Sequence, residues 1–334
     1  MTNPKISIAI PAYNGEKYID QALLSALNQT YPADEIIVSD DGSNDQTIKI
    51  VNSVYNEYCL QYKKSVPLII KHNPDGPSGF VNAWNRVVSM ASGDFISILH
   101  HDDILCPDFL VEFIKAHQKY PHVRHFFAPC DYINREGTIL HKFVPPQNDL
   151  VLYKKNEYMK AYQKRYGTFP HVHRCPGVIT HRSIFEQGCN YSPKAGHIAD
   201  DDFFYRVGQF TDVVGMMKTL AAFRIHGDSE TGSIENVELV QRLARDYIYQ
   251  IYQWQNSSFL DRKDKYFFEY WAVKFVAQAL AHASRANDHS LREDALSSFE
   301  QLHKYTFTNI IFFQRTKLCL LRLIFLLSSL LKRH

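Results

Sequence analysis

Short apolar segments alternate with amphipathic ones in the first 130 residues. Of all the features of the sequence, this alternation limits the possible folds most. Residues 6–10, 35–39 and 94–99 are apolar almost throughout, and stretches of helical periodicity separate them. Strands that are buried on both faces carry such continuous apolar runs, and alternation with helices indicates parallel pairing. The sequence therefore predicts an α/β fold, Rossmann-like, with a mostly parallel sheet flanked by helices.

Polar residues follow three of these apolar segments where each predicted strand ends. Tyr13 and Asn14 follow the segment at 6–10, Asp40 and Asp41 follow the one at 35–39, and a His-His-Asp-Asp sequence follows the one at 94–99. In an open α/β sheet, ligands bind outside the carboxyl ends of the strands. We therefore expect a binding site at this edge, where the Tyr13 ring stacks on a base and a carboxylate accepts from its N–H.

The acidic pair Asp102 and Asp103 has two interpretations. Adjacent carboxylates repel each other unless a cation lies between them, and Mg²⁺ or Mn²⁺ prefers such oxygens together with a diphosphate. Alternatively, one aspartate caps the following helix and the other is solvated. Metal binding explains both residues at once, so the sequence predicts Mn²⁺ or Mg²⁺ as the cofactor.

A second acidic run consists of Asp200, Asp201 and Asp202 at the start of a predicted helix. Acidic residues favour that position because of the helix dipole, although three exceed what a cap needs. A carboxylate opposite a metal-bound diphosphate would instead be a general base. Arg224 and His226, spaced by two at a strand end, would add a charge and an imidazole on one side.

These motifs occur in the order seen in family 2 inverting glycosyltransferases with the GT-A fold, and residues 5–230 resemble that family in its bacterial polysaccharide type. The resemblance implies transfer of a sugar from a nucleotide-diphospho-sugar to an acceptor hydroxyl with inversion, in surface polysaccharide or lipid-linked glycan assembly. A UDP-sugar is the first candidate donor, and a glycan or lipid-linked saccharide is the acceptor. The alternative is a non-catalytic nucleotide-sugar-binding subunit of a glycan assembly complex.

The resemblance also implies roles for individual residues. Those that bind the nucleotide or donor are Pro11, Ala12, Tyr13, Asn14, Asp41, Gly79, Asn85, His101, Asp102 and Arg224. The metal ligands are Asp102, Asp103 and His226. Asp200 is the catalytic base, with Asp201 as the alternative. Two departures stand out, because many members have aspartate in place of His100 and glutamate in place of Ala199.

The predicted domains are a catalytic domain at 1–232 and a helical region at 233–334. The net charge of +2 gives no basic field for nucleic acid. Residues 308–334 combine leucines with basic residues, which favours an amphipathic helix on an anionic membrane surface. The alternative is packing on the same domain or on a second copy in a homodimer. The N-terminal sequence lacks a secretory pattern, so we expect a cytoplasmic protein, peripheral on the inner face of the membrane.

Overall fold

The chain falls into two compact units. The structure, a computed structural model, describes residues 3–63, 65–144, 149–158, 161, 174–227, 237–254, 262–285 and 289–305. The first unit comprises Met1–Tyr191 and Phe203–Ile225, and the second comprises Ser192–Asp202 and His226–His334. The second unit thus includes the acidic run, whereas the predicted boundary at 232 lies outside the described residues.

The strands of the described residues all belong to the first unit. In chain order they are β1 (Ile6–Ala12), β2 (Glu35–Asp40), β3 (Leu68–His72), β4 (Phe95–Ile98), β5 (Ile104–Leu105), β6 (His125–Phe127), β7 (Cys130–Ile133), β8 (Ile139–His141), β9 (Leu150–Tyr153), β10 (Val178–His181), β11 (Val213–Met216) and β12 (Ala221–Arg224).

Eight strands form the main sheet in the order β3-β2-β1-β4-β10-β6-β11-β9. The pairs from β3 to β4 are all parallel, as is β6 with β11, whereas β10 and β9 run antiparallel to their neighbours. The chain moves from β1 to β2 and β3 on one side and then returns to β4 on the other. This reversal creates a topological switch point, so the ligand crevice is expected between the ends of β1 and β4.

A smaller sheet has the order β5-β12-β7-β8. Strands β7 and β8 form an antiparallel hairpin, and β12 runs parallel to β7. Because β5 follows β4 almost directly, this sheet holds the polar residues after β4 beside Arg224 at the end of β12.

Helices connect the strands of the first unit. They are α1 (Ile19–Leu27), α2 (Thr47–Tyr62), α3 (Phe80–Met90), α4 (Phe109–Lys119) and α5 (Arg182–Glu186). In α1, the buried residues Ile19, Ala22, Leu23 and Ala26 recur at helical spacing, which places one apolar face on the sheet. Burial of an Ile or Leu side chain contributes about 1.5–3 kcal/mol, so the spacing fixes which face turns inward.

The second unit is helical. A 3₁₀ helix at Pro193–Ile198 leads into α6 (Ala199–Val207), which begins in this unit, and α7 (Val237–Trp254), α8 (Arg262–Arg285) and α9 (His289–Tyr305) follow. Buried side chains of α7, such as Val240 and Ala244, recur at helical spacing. The predicted membrane-binding helix at 308–334 lies outside the described residues. Among the helices that are described, none is long and apolar enough to cross a bilayer.

Candidate active site

Asp41 follows β2, and protein groups hold both of its carboxylate oxygens. Oδ1 accepts from the guanidinium of Arg86 at 2.6 Å, the amide of Asn73 at 2.9 Å and the hydroxyl of Ser78 at 2.9 Å. Oδ2 accepts from the main-chain N–H of Ser78 at 2.8 Å. Burial alone would raise the pKa of Asp41, but these hydrogen bonds outweigh it and the pKa is lowered. Oδ2 has room for one more donor.

The loops after β1 and β2 lie together, as the sequence predicted. Pro11 and Ala12 are the buried last residues of β1, whereas the Tyr13 side chain is 43% exposed. Asn14 has a positive φ of 46°, and its main-chain N–H donates to the hydroxyl of Ser43 at 2.9 Å. Tyr13 is therefore accessible, and the preceding Ala12 carbonyl accepts from the main-chain N–H of Asp41 at 2.8 Å, although the role of Tyr13 in binding a base stays a prediction.

Gly79 and Asn85 lie at the start and in the middle of α3. Gly79 has a φ of 86°, a conformation that glycine adopts without strain. The Asn85 amide donates to the carbonyl of Tyr191 at 2.7 Å and accepts from its N–H at 3.1 Å. This reciprocal pair ties α3 to the segment that ends at Tyr191. Direct donor contacts of Gly79 and Asn85 stay predictions.

Three side chains that follow β4 come together, and we name His100, Asp102 and Asp103 the β4 cluster. One potential ligand atom from each lies within 4.8 Å of the others. Nδ1 of His100 is 3.6 Å from Oδ2 of Asp103, whereas Oδ1 of Asp103 accepts from the main-chain N–H of Arg224 at 2.8 Å. Within the described part of the chain, neither Oδ2 of Asp103 nor Nε2 of His100 has a hydrogen-bond partner, although both atoms are buried.

Burial drives both shifted groups of the β4 cluster toward their neutral forms. It raises the pKa of Asp103 well above the ordinary value, the Asp102 charge adds to this, and Arg224 opposes it. Burial also lowers the pKa of His100 to about 4, so the imidazole is neutral at pH 7 and has a lone pair for a metal. A divalent cation would compensate the buried negative charge. The residues present therefore fit such an ion, with oxygen and nitrogen ligands.

Arg224 holds the main chain of the β4 cluster in place. Its guanidinium is buried, and it donates to the carbonyl of Asp102 at 2.8 Å, to two carbonyls of the β7–β8 turn and to Oε1 of Gln21 at 2.8 Å. The Tyr18 ring lies below it, with 4.7 Å from the guanidinium carbon to the ring centroid. In the structure Arg224 is thus a positioning residue. Its predicted contact with the donor stays a prediction, as does that of the half-buried His101.

The acidic run at the start of α6 is held by α7 within the second unit. The hydroxyl of Tyr247 donates to Oδ2 of Asp201 at 3.3 Å, and the amide of Gln250 donates to Oδ1 of Asp202. Asp201 and Asp202 are buried, whereas Asp200 is half-buried. Asp200 is thus the most accessible of the three carboxylates. Its role as the base stays a prediction.

Asp246 of α7 holds the 3₁₀ helix that precedes the acidic run. The main-chain N–H of His197 donates to Oδ2 of Asp246 at 2.8 Å, and its Nδ1 lies 3.1 Å from the same oxygen. Gly196 has a φ of 56°, and a Cβ there would lie 2.5 Å from the Asp246 carboxylate. Only glycine permits this approach. His226, a predicted metal ligand, is buried and also belongs to the second unit.

Three residues that support the site are not among those predicted from the sequence. Arg86 lies beside the buried Val87 and Val88 in α3, and a charge at that place in a helix signals a buried acidic partner. Trp84 stacks on His100, and Asp246 anchors the segment before Asp200. Neither carries a local signal, because both act on residues that are distant in the sequence.

The parallel order β3-β2-β1-β4 with an acidic cluster after β4 is that of a GT-A glycosyltransferase fold. Solved structures confirm the fold. The S. aureus TarS structure in complex with UDP-GlcNAc is 15% identical with a TM-score of 0.57, covering 89% of this chain and 80% of that chain. The mannosyltransferase PcManGT from Pyrobaculum calidifontis, in complex with GDP-Man and Mn²⁺, is 15% identical with a TM-score of 0.55, covering 99% and 87%.

The sequence model described as Glycosyl transferase family 2 matches residues 7–188, more than half of the chain. The chain belongs to this family, which confirms the predicted membership. A Haemophilus influenzae glycosyltransferase is 39% identical over 110 residues, and chondroitin synthase of Pasteurella multocida is 33% identical over 137. These matches cover 33% and 41% of this chain but only 41% and 13% of the relatives.

Proposed function

We propose that the chain transfers a sugar from a nucleotide-diphospho-sugar, with UDP as the first candidate carrier, to an acceptor hydroxyl with inversion. The observation that carries the proposal is the β4 cluster, in which a buried carboxylate oxygen of Asp103 lacks a hydrogen bond from the described residues. It follows β4 at the switch point of a family 2 chain. TarS in complex with UDP-GlcNAc is compatible with a UDP-sugar donor.

The donor would bind at the ends of β1, β2 and β4. The exposed ring of Tyr13 would stack on the base, and Oδ2 of Asp41 would accept from the base N–H. Asp41 is pre-organised for this, because Arg86 and Ser78 hold its carboxylate in one orientation. A preformed acceptor discriminates between bases, since a base without the matching N–H leaves it unpaired.

Asp102 and Asp103 would hold Mn²⁺ or Mg²⁺, and His226 stays a proposed further ligand. A divalent cation bound there supplies positive charge to the diphosphate leaving group. Arg224 keeps the cluster in place by binding the carbonyl of Asp102. Asp102 and Asp103 would therefore already be in position to bind the cation before the donor binds.

Asp200 would be the general base. The acceptor oxygen forms a bond to the anomeric carbon as the bond from that carbon to the diphosphate oxygen breaks. The acceptor proton passes to the Asp200 carboxylate, and the nucleoside diphosphate leaves with the electron pair. Accessibility favours Asp200 over Asp201, because Asp201 is buried and accepts a hydrogen bond from Tyr247.

A transfer assay with a panel of UDP-, dTDP- and GDP-sugars tests the proposal. We expect Asp200→Asn to lower kcat by about 10²–10⁴-fold, as loss of a general base does, with little change in nucleotide affinity. Asp201→Asn is the matched control and retains more activity. Nucleotide binding without turnover across donors and acceptors would instead favour a non-catalytic nucleotide-sugar-binding subunit.

The acceptor would be a glycan or a lipid-linked saccharide of surface polysaccharide assembly, at the cytoplasmic face of the membrane. The similarity to chondroitin synthase of Pasteurella multocida supports this class. Membrane association through 308–334 is tested by sedimentation with anionic liposomes. Deletion of 308–334 is expected to abolish cosedimentation, and unchanged cosedimentation would contradict the membrane role.

A further inference from the structure

The β4 cluster differs from a purely acidic metal site in its first residue. That residue is His100, an imidazole whose Nδ1 lies 3.6 Å from Oδ2 of Asp103. A shared cation would accommodate this separation, which is too long for a hydrogen bond. Oδ2 of Asp103 therefore lies beside an imidazole nitrogen, and it accepts no hydrogen bond from the described residues.

Trp84 fixes the plane of the His100 ring. The two rings stack with centroids 4.9 Å apart and an angle of 20° between their planes. Trp84 is itself packed edge-on against Tyr191 at 5.3 Å and against Phe80 at 5.2 Å. Asn85 in turn binds the main chain of Tyr191 through two hydrogen bonds. The ring plane is thus determined by a chain of contacts within the first unit.

The stacking of His100 on Trp84 takes the place of the hydrogen bond that usually orients a metal-binding histidine. A metal-binding histidine usually donates its other ring N–H to a carbonyl or carboxylate, which orients the ring. Nε2 of His100 has no hydrogen-bond partner within the described residues, so stacking on Trp84 provides the orientation. The ring can then direct Nδ1 toward Asp103 without a hydrogen bond on its far side.

An imidazole ligand changes which ion the site prefers. Mg²⁺ favours oxygen ligands, whereas imidazole nitrogen suits first-row transition metals, whose affinity rises from Mn²⁺ to Co²⁺. We propose that His100, held against Trp84, supplies a nitrogen ligand that makes this site select a transition-metal ion such as Mn²⁺ or Co²⁺ over Mg²⁺. This inference rests on the proposed function only in assigning the metal site to the β4 cluster.

The test measures the metal and not the sugar transfer. Mn²⁺ is bound to the full chain, alone and with UDP, and the electron spin-echo signal of Mn²⁺ is examined for coupling to a directly bound nitrogen. We expect that coupling in the unmodified protein and its loss in His100→Asp, which keeps a carboxylate ligand and still binds Mn²⁺. In titrations, the ratio of Mn²⁺ to Mg²⁺ affinity falls about tenfold in His100→Asp.

Two further variants separate positioning from ligation. Trp84→Leu removes the stacking surface and is expected to weaken Mn²⁺ binding about tenfold, as loss of an orienting partner does, whereas Trp84→Phe retains most of the affinity. His122→Gln removes an exposed imidazole of the same unit and is the matched control, with no change in the nitrogen coupling.

Several outcomes would overturn the inference. They are nitrogen coupling that survives His100→Asp but disappears in His226→Gln, an unchanged affinity ratio in His100→Asp, and no bound Mn²⁺ with or without UDP. The proposed function fails separately. Nitrogen coupling without any sugar transfer would refute the function and leave this inference standing, whereas transfer with an oxygen-only metal site would do the reverse.

Discussion

The loops after β2 and after β4 each bury an aspartate, and the two residues differ in almost every other respect. Asp41 is 2% exposed and Asp103 is 1% exposed. Asp41 accepts four hydrogen bonds, one of them from Arg86, and its pKa is lowered. Asp103 accepts one hydrogen bond from the described residues, at Oδ1, and its pKa is raised.

The difference teaches that burial alone does not set the state of a carboxyl group. The protein completes the environment of Asp41 with its own donors, which stabilises the ionised form before any ligand binds. At Asp103, burial and the charge of Asp102 outweigh the favourable contribution of Arg224, so the ionised form is costly until a cation binds. One loop is therefore a finished structural element that offers a single acceptor, and the other is a site whose completion requires a ligand.

Removing the charge of Asp41 is expected to change the stability of the protein most. Asp41→Asn breaks the ion pair between the buried Asp41 and the half-buried Arg86 and should lower the free energy of unfolding by about 3 kcal/mol, at the lower end for loss of one partner of a buried pair. Urea unfolding at pH 7 measures this. Asp75→Asn removes an equal charge from an exposed position downstream of β3 and should change stability little. Equal effects of the two variants would contradict our account of Asp41.

Asp103→Asn should raise the stability of the metal-free protein, whereas Asp41→Asn lowers it. The amide oxygen can still accept from the main-chain N–H of Arg224, and the variant no longer buries a carboxylate charge. The free energy of unfolding should therefore rise by about 1 kcal/mol. With the native chain, Mn²⁺ at 100 times its Kd adds about 2.7 kcal/mol, and this gain should vanish in the variant. Thermal unfolding with EDTA and with Mn²⁺ measures the stability without metal and the gain on metal binding. Destabilisation by Asp103→Asn without metal would contradict the proposed difference between Asp41 and Asp103.

The pH dependence of Asp41 follows from its lowered pKa. Above its ordinary value of 3.8 the folded and unfolded chains are both ionised, and the full stabilisation is present. As pH falls below this value the unfolded chain takes up the proton first, so the stabilisation decreases by about 1.4 kcal/mol per pH unit until the folded pKa is reached. The stability difference between the native chain and Asp41→Asn should therefore shrink between pH 5 and pH 3. A difference that grows there would mean that the pKa is raised.

The smallest effect is expected from Ser78→Ala. It removes the hydroxyl that donates to Oδ1 of Asp41 but leaves the main-chain N–H that binds Oδ2. One of four hydrogen bonds is lost, so stability should fall by about 1 kcal/mol. Ser89→Ala on α3, whose hydroxyl bonds only within its helix, is the control. A loss as large as that of Asp41→Asn would mean that the four bonds act as one cooperative unit.

Much of the first unit could be predicted from the sequence, because its signals are local. Strands β1, β2 and β4 lie at the apolar segments identified in the sequence, and the helices between them repeat apolar residues at helical spacing. The acidic residues at the strand ends followed from the position of those runs. Strands β9 to β11 are short, and each pairs with segments far away in the chain. The hydrophobic periodicity of the sequence therefore could not predict which strands lie beside them.

The partners of the site residues could not be predicted for the same reason. Arg86 and Asn73 reach Asp41 from 45 and 32 residues away, and Tyr191 meets Asn85 across 106. No spacing rule relates such positions. The sequence could indicate that a carboxylate belongs to a site, whereas only the fold shows whether the protein itself completes the environment of that carboxylate.

The hold of α7 on the segment before Asp200 limits how this protein can be recombined with its relatives. Asp246 accepts from His197 and lies so close to Gly196 that only glycine fits there. A hybrid that joins the first unit of this chain to the C-terminal helices of another family member would remove the contacts that Asp246 makes with residues 192–202. Such hybrids should therefore exchange that short segment together with the helices, because the two belong to one compact unit although they are separated in the sequence.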